Sequence, residues 1–414
     1  GLMEYTEFEL DNGLRVVHNY DPFSAMAVVN VLYDTGARDE NPQLTGMAHL
    51  FEHLMFGGSV NVPSFDSVLE LAGGTNNAST GNDFTNFYDQ LPAQNIETAF
   101  YLESDRMLGL AFSDKALEVQ RQVVVEEFKQ VCLNRPYGCL MHHLRPMLYD
   151  QHPYSWPVIG KETGHIEKVT QDDVRHWFYS HYAPNNAILS VCGNVTADRV
   201  RELAEKWFGP IPRRDVEKRH LADDPWPTAI TRKTVEENVP QTVVTVAYRM
   251  DPYGTKGYVA ADAITDILSA GKSSRFNQRL VLGCDLFTGA DASITGSEHS
   301  GMVIMQGYLA KDDDETIAEA ERMLIEQAQQ LAEEGNISEY ELERTKNRFE
   351  STFTLDNVNL IMRAYNLATA TYHREDVNDN LRRYRALTID DIASTARHLF
   401  VDHAPAVLVH KPAR

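Results

Sequence analysis

The sequence predicts an α+β fold: two similar domains in tandem, each a largely antiparallel β-sheet covered by helices. Three observations predict it. In each half, strand-forming segments come first and helix-forming segments follow, a pattern that favours helices packed on one face of a sheet. Residues 169–191, VTQDDVRHWFYSHYAPNNAILSV, recur as residues 387–409, LTIDDIASTARHLFVDHAPAVLV. Between the two copies lies FGPIPRRDVEKRHLADDPWP, rich in proline and charge and poor in hydrophobic periodicity, as an exposed connection is. The domains are therefore placed at 1–215 and 229–414, with a linker at 216–228.

The elements follow in order. EFELDNGLRVVHNY reads as two strands joined by Asp11-Asn12-Gly13, a strong hairpin signal. MAVVNVLYDTG is a third strand, nearly all apolar and so central. A helix beginning near Met47 follows, then SFDSVLELAGG, a helix ending at a glycine pair. TNNASTGNDFTNFYDQLP alternates polar and aromatic residues as an edge strand or hairpin does. Helices are predicted over 94–109 and 115–131. In the repeated segments Thr170 and Thr388 are N-caps, each with acids in the first turn to suit the helix dipole. In the second half, TAITRKTVEENVPQTVVTVAYRM gives two strands, GYVAADAITDILSA a helix and SGMVIMQGYLA a strand. Long helices over 313–333 and 337–352 complete the series.

Composition narrows the function. The 414 residues are 43% hydrophobic and 24% charged, ordinary for a globular protein, and the net charge is −22. So acidic a chain has no basic face for nucleic-acid phosphates. No apolar run approaches the ~20 residues of a membrane span, and GLMEYTEFELDNG lacks the apolar core of a secretory leader. The compartment, cytoplasm or periplasm, stays open. The four cysteines, Cys132, Cys139, Cys192 and Cys284, form no C-x-x-C pair and read as buried, inert thiols.

One stretch carries chemistry. MAHLFEHLMFGG holds His49, Glu52 and His53 in the pattern H-x-x-E-H. A bare match of this kind is weak, because a histidine on an apolar helix is more often a core residue. At 100° per residue, however, positions 49, 52 and 53 share one helical face. Two imidazoles on adjacent turns can hold one metal ion, and a carboxylate beside them can take a proton from water. The set is the inverse of H-E-x-x-H. Catalytic zinc takes three protein ligands, so a third is required. LEVQRQVVVEEFKQV offers Glu126 and Glu127, either of which is otherwise an ordinary solvated helix residue.

HLFEHLMFGG, then GGTNNAST…DFTNFY, then VVVEEFKQVCLNRPYG, then AEKWFGPIP, resembles in that order the pitrilysin–insulysin family of inverzincin zinc metallopeptidases. The likeness is to the short, two-domain bacterial members similar to mitochondrial processing peptidase, and it covers nearly the whole chain. It implies half of a clamshell chamber, one Zn2+ per chain held by His49, His53 and Glu127, and Glu52 as general base. Between His53 and Glu127 lie 73 residues, in keeping with the family's spacing. The resemblance also implies that a strand including Asn77 and Ala78 pairs with a peptide substrate. The family often has a second glutamate seven residues before the ligand, and here that position is Gln120, which cannot act as an acid or base.

A larger departure lies in the second half. Family members that cleave peptides carry an arginine and, seven residues on, a tyrosine that grip the substrate. In SSRFNQRLVLGCDLFTGADAS the corresponding positions are Val281 and Thr288; Arg279 is out of register, and the next tyrosine is Tyr308. The resemblance therefore implies the zinc-bearing subunit of a heterodimer whose homologous partner supplies the Arg/Tyr pair, with a homodimer as the alternative. A non-catalytic scaffold or peptide-binding subunit of the same fold is the competing reading. It is disfavoured because all four positions of the zinc site are filled.

Overall fold

The computed structural model describes residues 2–414. Two compact units appear, and each takes a segment from the other half of the sequence. Unit 1 comprises the chain up to Lys129, Trp156–Leu221 and Thr354–Asn378. Unit 2 comprises Gln130–Ser155, Ala222–Phe353 and Asp379–Arg414. The proline- and charge-rich stretch has neither helix nor strand over 212–227.

Unit 1 is built on six strands: β1 (Thr6–Glu9), β2 (Arg15–Tyr20), β3 (Met26–Tyr33), β4 (Thr75–Thr80), β5 (Thr85–Pro92) and β6 (Ala187–Gly193). Their order is β1-β2-β6-β3-β5-β4, and only β2 and β6 run parallel. The first hairpin turns at Gly13, whose φ of 92° suits glycine,. Asn12 anchors that turn by donating to the Phe208 and Ile211 carbonyls at 2.7 and 2.9 Å. β3 is central, as its apolar run predicts.

That run also explains why helices cover both faces of the sheet rather than one. Ala27, Val29, Val31 and Tyr33 point into the main core, with the helices of the first half. Val28 and Leu32 point the other way, with Val17, Ile188 and Cys192, onto Ala364, Leu367 and Ala368. These last three lie on helix Leu360–Tyr372, which arrives from the far end of the chain. Asn30, the polar exception in β3, exchanges amide hydrogen bonds with Asn86 at 2.8 and 2.9 Å, so neither buried amide is left unpaired.

Unit 2 repeats the plan with five strands: β7 (Thr231–Glu237), β8 (Val243–Met250), β9 (Phe287–Ile294), β10 (Gly301–Leu309) and β11 (Ala406–Pro412). Their order is β7-β11-β8-β10-β9, which is the first sheet without its outermost strand. β11 runs parallel to β7 and antiparallel to β8, as β6 does to β2 and β3. The repeated segment therefore places the same strand in each sheet. Its capping threonines act alike: Thr170 and Thr388 each accept from the N–H of Asp173 and Asp391 at 3.1 Å. Here too both faces are covered. Val244, Val246, Val303, Met305 and Val407 face the main core. Ala247, Met302, Ile304, Ala406 and Leu408 face Leu144 and Leu148, on helix Leu140–Leu148 from the first half.

Two buried ionisable side chains position the motif helix, Met47–Leu54. It starts at Gly46, which has a φ of 88° and no side chain to cap the helix, and a Cβ there would stand 2.9 Å from the Ile166 side chain. Glu40, wholly buried, supplies the cap from six residues upstream. It accepts from the Gly46 and Ala48 N–H groups at 3.0 and 2.9 Å and from the Trp156 indole at 2.9 Å. Burial pushes its carboxyl up to about 8, against the pull of those three donors. At the other end, Arg106 is 1% exposed and lies over the rings of Phe56, Phe65 and Phe87 at 4.7, 4.2 and 4.4 Å. Its guanidinium meets both oxygens of buried Glu103 at 2.6 and 2.5 Å. Burial, then the Glu103 charge, pushes neighbouring Asp89 well above the usual carboxylate range.

Glu40→Gln turns one N–H acceptor into a donor facing backbone N–H groups. It is expected to lower stability by about 1–3 kcal/mol, read as a fall in melting temperature. Arg106→Met strands the Glu103 carboxylate and is expected to cost about 3–5 kcal/mol, whereas Arg106→Met with Glu103→Leu regains most of it. Equal losses in the single and double variants, measured by denaturant unfolding, would show that charge pairing is not what the arginine contributes.

Candidate metal centre

The motif helix divides cleanly. Leu50, Phe51 and Leu54 are buried in the core, with Phe51 stacked on Tyr182 at 5.1 Å between ring centroids. His49, Glu52 and His53 occupy the opposite arc, as the helical period requires. The two imidazoles stand edge to face, centroids 5.1 Å apart.

A second helix, Asp114–Lys129, brings the carboxylate. It buries Leu117, Val124 and Val125, which orients Glu127 toward the histidines. Glu127 Oε2 is 3.4 Å from His49 Nε2 and 3.3 Å from His53 Nε2. Glu126, about 100° further round the helix, instead pairs with Lys129 at 3.6 Å. The structure thus separates the two acids that the sequence pattern left open. Glu52 stands beside the group, its Oε2 3.8 Å from His49 Nε2.

These distances can be tested against a metal. Zinc bound at about 2.0–2.2 Å in tetrahedral geometry sets its ligand atoms roughly 3.4 Å apart. The two Nε2–Oε2 separations match that edge, so His49, His53 and Glu127 would fit a single zinc ion. His49 is 6% exposed, and its Nδ1 is buried without a hydrogen-bond partner. Burial pushes the His49 imidazole down while the Glu127 charge pulls it up. Burial pushes the Glu52 carboxyl up, against the opposing pull of His53.

The strand side is equally defined. β4 is the last strand of its sheet, with Asn77 opposite Tyr88 and Ala78 opposite Phe87. Its other edge has no strand beside it among the described residues. Asn77 Oδ1 accepts the Ala78 N–H at 2.8 Å. Thr80, at the end of β4, contributes to the electrostatics of Glu52. Gln120 lies half-buried, two turns before Glu127 on the same helix.

In unit 2, Arg275 is buried and engaged, bound by Glu341 through Nε at 2.8 Å and Nη2 at 3.0 Å. Arg279 reaches Gln327 and Gln330, both at 3.2 Å. Thr288 accepts from Gln241 at 2.9 Å, and Tyr308 donates to Asp291 at 3.2 Å.

Sequence reasoning missed Glu40, and only a carboxylate near a glycine-started helix hints at it; Trp156, its other partner, is 116 residues away. It also misjudged three of the cysteines, of which Cys284 is a free thiol but only half-buried. Cys132 and Cys139 form a disulfide, because the chain reverses between them and brings their Cα atoms to 4.7 Å, within disulfide reach. Cys192 is a free, buried thiol as expected.

Comparison with known proteins bears on this geometry. Residues 15–162 match the family model described as Insulinase (Peptidase family M16), and residues 168–349 match that of the Peptidase M16 inactive domain. His49, Glu52, His53 and Glu127 all lie in the first match. The chain is 27% identical to zinc protease PqqE of Helicobacter pylori, over 99% of this chain and 94% of that one. It is 28% identical to the beta subunit of the mitochondrial-processing peptidase of Saccharomyces cerevisiae, over 50% of this chain and 45% of that protein. A solved structure of a protease from Helicobacter pylori superposes with a TM-score of 0.91 at 25% identity, covering all of both chains. The periplasmic protease PqqL of Escherichia coli shares the fold, with a TM-score of 0.80 at 18% identity over 98% of this chain and 47% of that one. The two sheets, their helices and the two adjoining matches agree: the chain belongs to the insulinase-like peptidase family M16, in its short two-domain form.

Proposed function

We propose that the chain is the zinc-bearing subunit of a zinc-dependent endopeptidase that hydrolyses peptides or unfolded polypeptides. The observation that carries this reading is the placement of Glu127 Oε2 at 3.3–3.4 Å from both imidazoles, with Glu52 alongside. In this reading His49, His53 and Glu127 hold the ion. When bound, zinc supplies a Lewis acid that polarises a carbonyl and makes water more acidic. Glu52, which belongs to none of the zinc-edge contacts, takes the proton from the attacking water and returns it to the leaving amine. The free edge of β4, at Asn77 and Ala78, accepts the substrate backbone as an added strand, which gives affinity with little sequence preference. Gln120 can hydrogen-bond near the site but exchanges no proton.

The same reading assigns the second half a supporting role. Its matched family model is described as inactive, Arg275 is committed to Glu341, and positions 281 and 288 hold Val281 and Thr288. A homologous subunit carrying the Arg/Tyr pair would complete the site as a heterodimer.

Two measurements test this. Glu52→Gln is expected to lower kcat about 100- to 10,000-fold while zinc content by atomic emission stays at the wild-type level; retained turnover refutes the role of Glu52. The purified chain alone is expected to bind zinc yet cleave an unstructured peptide about 100-fold or more slowly than the chain supplemented with a homologous Arg/Tyr subunit. Full activity of the isolated chain would instead favour a self-sufficient homodimer.

A further inference from the structure

Unit 2 contains a second group of metal-ligating side chains, remote in sequence from the H-x-x-E-H motif. His143 lies on helix Leu140–Leu148, Glu237 ends β7, and His410 lies on β11. β7 and β11 are parallel neighbours, with His410 opposite Val235. Residues 235 and 237 therefore share a face with residues 406, 408 and 410. Ala406, Leu408 and Val235 on that face pack under the same helix that carries His143. The fold thus aims one imidazole down at the sheet and sets an imidazole and a carboxylate below it.

The distances are those of a site. His143 Nε2 is 2.6 Å from Glu237 Oε1, and His410 Nε2 is 3.9 Å from Glu237 Oε2. One ligand atom from each of the three residues lies within 4.8 Å of the others. The two rings stand 5.7 Å apart, close to the 5.1 Å of the motif pair.

An ion pair between His143 and Glu237 accounts for two of the three groups. It does not account for His410. That side chain is 0% exposed, and neither of its ring nitrogens has a hydrogen-bond partner. A buried polar atom left unmatched costs about 1–3 kcal/mol, and at 3.9 Å the Glu237 carboxylate is beyond hydrogen-bond reach of His410 Nε2,. Burial pushes His410 down, in keeping with a neutral ring.

We infer that His143, Glu237 and His410 bind a divalent transition-metal ion of the zinc class, which fastens helix Leu140–Leu148 to β7 and β11. Two imidazoles and one carboxylate are a donor set that zinc favours. Moving the two Nε2–Oε separations from 2.6 and 3.9 Å to the tetrahedral edge of about 3.4 Å takes side-chain shifts under about 1 Å. His143 and Glu237 remain 23% and 30% exposed, so an ion can enter and water can fill its remaining position. The role is structural: the helix lies in the segment that the first half contributes to unit 2, and the ion adds three bonds to its packing and to the hydrogen bond that Arg249 donates to the Leu148 carbonyl at 3.2 Å.

The test uses the full chain, stripped with chelator and dialysed against Zn2+ or Co2+. Wild type is expected to retain two equivalents by atomic emission. His53→Ala, which disables only the motif site, is expected to retain one and to show a higher melting temperature with metal than without. His143→Ala and the more conservative Glu237→Gln are each expected to retain one equivalent, now at the motif site. His53→Ala with His143→Ala is expected to retain none. A single equivalent in wild type that His53→Ala abolishes, a metal-free His53→Ala protein, or two equivalents in a folded Glu237→Gln protein would each overturn the inference. None of these outcomes touches the proposed role of Glu52, which is read from turnover.

Discussion

Everything in this fold follows from sheets that are apolar on both faces. A strand such as β3, with Ala27, Val29 and Val31 on one side and Val28 and Leu32 on the other, cannot leave either face in water. At roughly 25 cal/mol for each Å² of apolar surface, one uncovered face would forfeit much of a domain's marginal stability. Each sheet obtains its second layer from the opposite half of the sequence: Leu360–Tyr372 for the first and Leu140–Leu148 for the second. The first sheet, held between two layers, gives the motif helix a rigid support. Rigid support is what a metal site needs, because ligand atoms must be held to within a few tenths of an ångström.

The site then rests on two short-range decisions. Eight residues of helix put aromatic and aliphatic groups on one arc and His49, Glu52 and His53 on the other. The start of that helix is fixed by Glu40, a buried acid that would be costly to bury without its three N–H donors. Its far end is fixed by Arg106, wedged among three phenyl rings. The functional helix is thus held by a buried polar group at each end and by packing between them.

How much of this was legible in the sequence depends on range. The Asp11-Asn12-Gly13 hairpin, the threonine caps and the two imidazoles one turn apart are local, and local chemistry specifies them. The choice of Glu127 over Glu126 comes from the family resemblance; its physical reason, the burial of Val124 and Val125 that sets the helix rotation, is not in the local pattern. β9 escaped because Phe287–Ile294 mixes glycine, alanine and polar residues; it becomes a strand only by pairing with β10. Coverage of both sheet faces escaped too, since the apolar run of β3 announces burial on two sides but not what buries it. The parallel alignment of β7 with β11 joins residues some 175 positions apart and leaves no local trace.

The exchange of segments has a consequence for how the molecule is made. Ser190 of the first sheet donates to the Ala364 carbonyl across 174 residues, and Arg15 to the Thr371 carbonyl across 356. A ribosome releases the first half long before residue 360 exists, so the nascent first sheet waits with one greasy face bare. Such a wait exposes a chain to aggregation and to chaperones. It also means that a protease nicking the loop between the halves would not liberate two modules. The pieces would stay interlocked, like two hands each holding a finger of the other.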